Sequence, residues 1–343
     1  MFKNLFQKKS KKAEPIIGLD IGNHNIKVVE LDNTGENYLL KGIGCASIAS
    51  QEPAALITAI KEACSEAKVS AKKVNTSIFS EGAILRYLLL PEMTGDELQK
   101  AMRYEIERYV PFGKEEVVSD YQILKQDAGK KNMKILLVAA KKEFVEKRAS
   151  LIQDAGLEPQ IITIDAIALK NPFKMNYPDK KEVTVGLLNL GAKITNINIV
   201  RDDASYFMRD IQIGGDNITN LIKEQLEVSF EKAESLKRAP GEKETEIFKI
   251  IEPVLGNLLN EIYLSFDYYE SEFGMVVDEV YVCGGTSQLK WLQDFLRDNL
   301  GREILPLDIR KQITIAKEIP TDKLVNLAPL LPISVGLAME SFF

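Results

Sequence analysis

From Ile16 onward apolar and polar positions alternate with a strand period, which predicts strands at Ile16 to Asp20, Ile26 to Leu31 and Tyr38 to Ile43 parted by turn residues such as Asn33-Thr34-Gly35-Glu36. Gln51 to Lys68 switches to helical spacing, with Leu56, Ile60 and Ala63 or Ala67 on one face, and Val74 to Phe79 returns to a strand. The result is an α/β unit whose first strand ends in Asp20. Leu85 to Leu90 predicts a further strand stopped by Pro91, and Thr94-Gly95-Asp96-Glu97 is a capping-box signature ahead of a helix carrying Leu98, Met102, Ile106 and Tyr109. Strands at Val117 to Leu124 and Lys134 to Ala140 and a helix at Glu143 to Ala155, closed by Gly156, complete a compact β-α-β-β-α insertion over residues 82–158.

Ile161 to Ile164 resumes the first unit, and the Pro-, Asn- and Lys-rich stretch Asn171 to Lys181 reads as the connection to a second one. There, Val183 to Asn189, Thr195 to Val200 and Ala204 to Ile211 repeat the opening strand-turn-strand-turn-strand layout, a repeat of architecture more than of sequence. Helices at Asn217 to Leu226, Phe230 to Arg238 and Glu246 to Glu272 follow; the last aligns Val254, Leu258, Ile262, Phe266 and Tyr269 on one stripe. A final strand, Val280 to Cys283, runs into Gly284-Gly285 and a helix from Leu289 to Leu300.

At 343 residues the chain is long enough for two packed units, and its 45% hydrophobic and 27% charged composition is that of a soluble globular protein. No run approaches the roughly 18 consecutive apolar residues that cross a bilayer, and the start lacks the pattern of a secretory signal, so the protein is expected to stay in the cytoplasm. Three cysteines without a CxxC pair argue against both a disulfide framework and a zinc site. One histidine and a net charge of −6 leave no broad basic face, which argues against nucleic-acid binding. Charge is uneven, however: Lys3, Lys8, Lys9, Lys11 and Lys12 crowd beside Phe2, Leu5 and Phe6 in a basic arm over residues 1–14, which fits either a solvated tail or weak attraction to an anionic membrane.

Candidate chemistry gathers at glycine turns. Gly18 to Lys27 sets Asp20 at a strand end, then Gly22, Asn23 and His24 in a hairpin turn, then Lys27. Such a turn can aim backbone N–H groups at phosphate oxygens, with the lysine adding charge and the carboxylate holding hydrated Mg²⁺, although hairpin geometry alone explains an isolated match. Leu187 to Thr195 offers a second hairpin with Asn189, Gly191, Ala192 and Thr195, and two such hairpins face to face can pinch a triphosphate. Gly214-Gly215-Asp216 opens a helix with Asp216 as the expected N-cap, a structural reading. Glu234 and Lys237, three apart on one helix, fit ribose binding or a surface ion pair equally. Gly284, Gly285 and Thr286 form a strand-to-helix turn at which backbone can approach something flat or anionic. His24, with no nucleophile pattern near it, reads as a turn residue lining the phosphate loop, and the cysteines read as core filling.

Taken in order, these segments resemble the five-part signature of the superfamily of actin, sugar kinases and heat-shock chaperones. Gly18 to Lys27 is similar to its first phosphate motif, Leu187 to Thr195 to its second, Val282 to Ser287 to its adenosine motif, Ile213 to Asp216 to its first connecting motif and Leu331 to Ala338 to its second. The insertion resembles the 1C subdomain of FtsA and PilM. Leu89-Leu90-Pro91-Glu92-Met93, the run from Tyr104 to Phe112, Ala233 to Arg238 and the opening Met1-Phe2-Lys3 are similar to the PilM family of type IV pilus assembly proteins.

The resemblance implies an α/β, two-lobed actin-like ATPase fold of duplicated ribonuclease H-like domains with an inserted 1C-type subdomain. The first-lobe core (1A) would span 15–81 and 159–180, the insert 82–158, the second lobe (2A/2B) 181–330, and a C-terminal helix at 331–343 would return to the first lobe. It further implies a cytoplasmic, ATP- and Mg²⁺-binding scaffold, peripheral to the inner membrane, whose 1A–1C groove receives the cytoplasmic N-terminal peptide of a PilN-like membrane protein, with self-association possible. By motif, Asp20 and Asn189 would stand at the catalytic positions, with Asp20 also holding the metal; Gly22, Asn23, His24, Lys27, Gly191, Ala192 and Thr195 would surround the phosphates; Glu234, Lys237, Gly284 and Gly285 would hold the nucleoside, with Gly214, Gly215 and Thr286 also binding the cofactor. One departure stands out, because the superfamily usually carries aspartate where this chain has Asn189. A neutral amide neither draws Mg²⁺ nor polarises water as a carboxylate does, which predicts weak or absent hydrolysis. The rival expectations are true turnover as an ATPase or small-molecule kinase, and an FtsA-like filament, ranked lower because the chain stops at Ser341-Phe342-Phe343 without an amphipathic membrane helix.

Overall fold

The computed structural model describes residues 15–34, 37–78, 83–109, 116–127 and 132–340, so the basic arm, the Val110-Pro111-Phe112 end of the PilM-like run and the last three residues lie outside it. Strands β1 (Ile16–Ile21), β2 (Asn25–Asn33) and β3 (Tyr38–Ser47) form an antiparallel ladder, and α1 (Pro53–Ala67) returns the chain to β4 (Lys73–Ile78), parallel to β1. All of β1 is buried, which explains why it reads as a nearly continuous apolar run: a central strand covered on both faces has no solvent side. On one face Ala59, Ile60, Ala63 and Ala67 of α1 pack with Ile17 and Leu19.

The insertion opens with β5 (Ala83–Pro91) and α2 (Gly95–Tyr109), whose start is fixed by Thr94 donating through its amide and hydroxyl to Glu97 Oε2 at 2.8 and 2.9 Å. β6 (Val117–Asp127) and β7 (Asn132–Lys141) complete a three-stranded sheet ordered β5-β7-β6 over its own small core of Leu88, Leu98, Met102, Met133, Ile135 and Leu137. α3 (Lys142–Asp154) follows, and its Ile152 is buried among the core residues of the first lobe instead. β8 (Glu158–Ile164) then pairs with β4, and α4 (Asp165–Asn176) leaves the sheet.

The second lobe repeats the plan with β9 (Val185–Leu190), β10 (Thr195–Arg201), β11 (Ala204–Ile211), α5 (Gly215–Leu226), α6 (Phe230–Arg238), α7 (Glu244–Phe273), β12 (Glu279–Cys283), α8 (Leu292–Leu300) and β13 (Glu303–Pro306). Its strand order, β11-β10-β9-β12-β13, matches β3-β2-β1-β4-β8 position for position, so the repeat seen weakly in sequence is a duplication of topology. β14 (Ile313–Ile315) goes back to pair with β3 of the first sheet, and α9 (Thr321–Leu327) and α10 (Pro332–Met339) close the described chain.

Four expectations need correction. Asn171 to Asn176 is helical and continues α4 through Pro172, although its composition suggested a connection. Proline leaves the carbonyl four residues back without its donor, and α10 crosses at that carbonyl, that of Ala168, so the break in the ladder is absorbed at a helix crossing. Ile213 to Asp216 belongs to the α5 entry within the second lobe, and the elements that pack against each other between the two sheets are α4 and α10, with Asn171 donating to Gly336 O at 3.3 Å. Val280 to Cys283 is not the final strand, since β13 and β14 follow. Finally, the helix expected from Leu289 begins at Leu292, after a 3₁₀ turn over Gly285–Gln288.

Candidate nucleotide-binding site

A cavity of about 530 Å³ opens between the carboxyl ends of β1 and β9, where open α/β sheets commonly bind ligands. Its floor on the first-lobe side follows from strand register. Asp20 stands directly opposite Lys27 in the β1–β2 ladder, which brings Lys27 Nζ to 3.0 Å from Asp20 Oδ2 with both side chains largely buried. Burial works against the Lys27 ammonium, but the charge and hydrogen bond of Asp20, with smaller help from Cys45 and Asp165, hold its pKa above the ordinary lysine value. Gly22, Asn23 and His24 form the turn above this pair, closed by the Gly22 amide donating to Asn25 O at 3.1 Å.

The second hairpin faces it. Asn189, Gly191 and Ala192 line the opposite wall, with the Gly191 amide bound to Ile194 O at 3.0 Å. The Asn189 amide is engaged, since its Nδ2 donates to Asn196 Oδ1 at 2.9 Å and Asn196 Nδ2 in turn donates to Asp210 Oδ1 at 2.7 Å. Gly284 and Gly285 pass beneath at the end of β12. Gly284 sits at φ +90°, and a Cβ there would lie 2.5 Å from Leu190 O and 2.6 Å from Asn189 Oδ1, so only glycine lets this loop press against the second hairpin. Thr286 ties the two together by donating from its hydroxyl to Gly191 O at 2.8 Å.

Glu234 and Lys237 resolve to the cavity wall and not to an idle surface pair, with the Lys237 side chain only 9% exposed. Lys237 Nζ donates to Glu234 Oε2 at 2.5 Å, Thr219 Oγ1 at 2.8 Å and Gly215 O at 3.2 Å. Burial alone would raise the Glu234 carboxyl, but the hydrogen bonds from Lys237, Thr219 and Arg238 outweigh it and bring the carboxyl down to about 2. Gly215 lies beside this network and lines the cavity too.

Two predicted residues lie outside the cavity lining. Thr195 is fully buried and its hydroxyl donates to Ile213 O at 2.8 Å, pinning the α5 entry to β10. Gly214 packs against Ala192 O, where a Cβ would come within 2.5 Å. Asp216 also differs from expectation. Gly214 is the N-cap of α5, and the Asp216 carboxylate, one residue inside the helix, reaches across the cleft to His24 Nε2 at 3.0 Å. Each cysteine is free; Cys283 is buried, whereas Cys45 lines the cavity.

The sequence reading missed Asp165. This carboxylate, at the β8–α4 junction, is 5% exposed, accepts a hydrogen bond from the Ser77 hydroxyl and lines the same cavity. Burial, then the nearby charge of Asp20, push it up to about 7, against the opposing pull of Ser77 and Arg148. Only its position was visible in the sequence, directly after the strand-like run Ile161 to Ile164. Among the described residues no group of three or more His, Cys, Asp or Glu side chains could cage a metal ion. The carboxylates of Asp20 and Asp165 both line the cavity, a donor set that fits an ion such as Mg²⁺ arriving on phosphate oxygens and water.

Comparisons with known proteins agree with this architecture. A family model described as type IV pilus assembly protein PilM matches residues 18–342. The cell division protein FtsA of Streptococcus pneumoniae serotype 2 (strain D39 / NCTC 7466) is 25% identical over 289 residues, which cover 72% of this chain and 62% of FtsA. Less than two thirds of that relative's length is thus spanned. Among solved structures, the PilM-PilN type IV pilus biogenesis complex superposes with a TM-score of 0.85 and 26% identity, covering 96% of this chain and 98% of the other. MreB 5 of Spiroplasma citri bound to AMPPNP superposes at 0.53 with 11% identity over 97% of this chain and 100% of its own, a likeness of fold alone. The fold is that of the actin-like ATPases, and the chain belongs to the PilM family of type IV pilus assembly proteins.

Proposed function

We propose that the cleft binds ATP with Mg²⁺ and that the lobe arrangement so favoured sets a groove for the N-terminal peptide of a PilN-like inner-membrane protein. The chain would then act as a cytoplasmic scaffold held at the inner membrane through that partner. The observation that carries the reading is the convergence of two glycine-turn hairpins on one cavity, with Lys27 and Asp20 at its floor. In this reading, backbone amides at Gly22 to His24 and at Gly191 and Ala192 surround the β- and γ-phosphates, and Lys27 adds positive charge. The Asp20 carboxylate would hold Mg²⁺, which when bound offsets phosphate charge. Glu234 and Lys237, which line the same cavity, would take ribose hydroxyls, and Gly284, Gly285 and Thr286 would flank the base.

A second cavity, of about 340 Å³, supports the partner side. It lies between the start of β5, the β8–α4 junction and β11, and both β5 and β11 are outermost strands of their sheets. Strand edges offer main-chain hydrogen bonds to an extended peptide, and Arg86, Arg209 and Asp210 at the rim would select its charges. Calorimetry with a synthetic peptide of the PilN type tests the coupling: affinity should differ by about fivefold or more between nucleotide-free and ATP-saturated protein. Equal affinities would remove the coupling from the account.

Slow turnover is the second reading, and Asp165 is the observation that favours it. Near neutrality a carboxyl held at about 7 can accept the proton that an attacking water loses as the bond from the γ-phosphorus to the ADP oxygen breaks. Asn189, a neutral amide, cannot do this. Phosphate release above background, abolished by Asp165→Asn with ATP binding retained, would establish turnover, and its absence would leave the scaffold reading alone.

A further inference from the structure

We propose that His24 and Asp216 form a latch across the phosphate end of the cleft that slows release of a bound nucleoside polyphosphate, an inference that rests on the nucleotide reading above. The two residues are 192 positions apart and belong to different lobes, yet His24 Nε2 lies 3.0 Å from Asp216 Oδ1 and 3.1 Å from Oδ2. Both line the cavity.

What makes the pair a latch is how each end is anchored. On the first lobe, the His24 carbonyl accepts from the Ile48 amide at 2.8 Å, and the preceding Asn23 carbonyl accepts from Gln51 Nε2 at 2.8 Å, so the turn is fixed to the segment after β3. On the second lobe, the Asp216 amide donates to Ala192 O at 2.7 Å and the Gly215 amide to Gly191 O at 3.0 Å, which joins the start of α5 to the phosphate hairpin. Neither end can follow the other when the lobes part. Opening the cleft therefore requires breaking the pair, and a polyphosphate held between the hairpins leaves by that opening. Asp216 stands in the first turn of α5, where a carboxylate complements the helix dipole, but the same carboxylate beside a polyphosphate would otherwise repel it. His24 occupies its oxygens and turns a repelling group into a closing one.

The two roles predict opposite signs. If Asp216 only repelled phosphate, Asp216→Ala would slow nucleotide release; as half of a latch, its loss must speed release. Release of a fluorescent ATP analogue with Mg²⁺ from the full chain, chased with unlabelled ATP, measures this directly. Since the side chains are 41% and 18% exposed, Asp216→Ala and His24→Ala should each raise the release rate by about two- to fivefold, with the double variant no faster than either alone. His24→Lys, which puts another nitrogen donor in place of the imidazole, should bring the rate back toward that of the unaltered protein. Slower or unchanged release in Asp216→Ala, or single effects that multiply in the double variant, would overturn the latch while leaving the nucleotide site standing. Failure of the unaltered protein to bind the analogue at all would instead overturn the nucleotide reading, and the latch with it.

Discussion

Replacing Asp165 by Asn should flatten the pH dependence of stability in a way that can be worked from the structure. The Asp165 carboxyl is raised from 3.8 to about 7, first by burial and then by the charge of Asp20. A carboxyl whose folded value exceeds its unfolded value holds a proton in the native state that the unfolded chain releases. Its stabilising contribution is complete below the unfolded value and is lost as the pH climbs through the folded one. Between about pH 5.5 and about pH 8 the loss integrates to about 2 kcal/mol. Asn keeps an acceptor for the Ser77 hydroxyl but carries no titrating proton, so the variant escapes this loss. Urea unfolding of nucleotide-free protein at the two pH values is the assay. The variant should gain on the unaltered protein by about 2 kcal/mol at the higher pH relative to the lower, a change in midpoint difference of roughly half to one molar urea. A difference between the two proteins that stays constant with pH would refute the reasoning.

Three further outcomes follow from named contacts. Gly336→Ala would place a Cβ 1.9 Å from Ala168 O, where backbone cannot yield, so a loss of about 3 kcal/mol should lower the thermal midpoint, and an unchanged midpoint would contradict the crossing of α4 and α10. Lys27→Met keeps the bulk of the side chain while removing its charge and should weaken ATP binding roughly 10- to 100-fold by calorimetry; retained affinity would move the phosphates away from β2. Glu234→Gln should narrow the preference for ATP over 2′-deoxy-ATP, and an unaltered preference would take the ribose away from α6.

Much of this molecule is legible in the chain because the physics is local. The opening hairpins announce themselves by alternation and turn residues, and α7 by a stripe whose Leu258, Ile262, Phe266 and Tyr269 are all buried. Glycine turns pointed to both hairpins of the cleft for the same reason. What escaped depends on tertiary company. Pro172 suggested a break because nothing in the neighbouring sequence shows that α10 will cross at the carbonyl it leaves free. Thr195 looked like a loop residue facing a ligand, yet its hydroxyl has a backbone acceptor at Ile213 that only the folded sheet supplies. Asp216 was read as a local cap, and its partner His24 stands in the other lobe. Asp165 went unremarked because its elevated pKa is produced by burial and by Asp20, neither visible along the chain.

The most direct measurement is a crystal structure of the full chain with Mg²⁺ and a non-hydrolysable ATP analogue. The account predicts the β- and γ-phosphates within hydrogen-bonding distance of amides in both the Gly22–His24 and Gly191–Ala192 turns at once, with the ion against Asp20. Phosphates touching one hairpin alone, or a nucleotide bound elsewhere on the molecule, would contradict it.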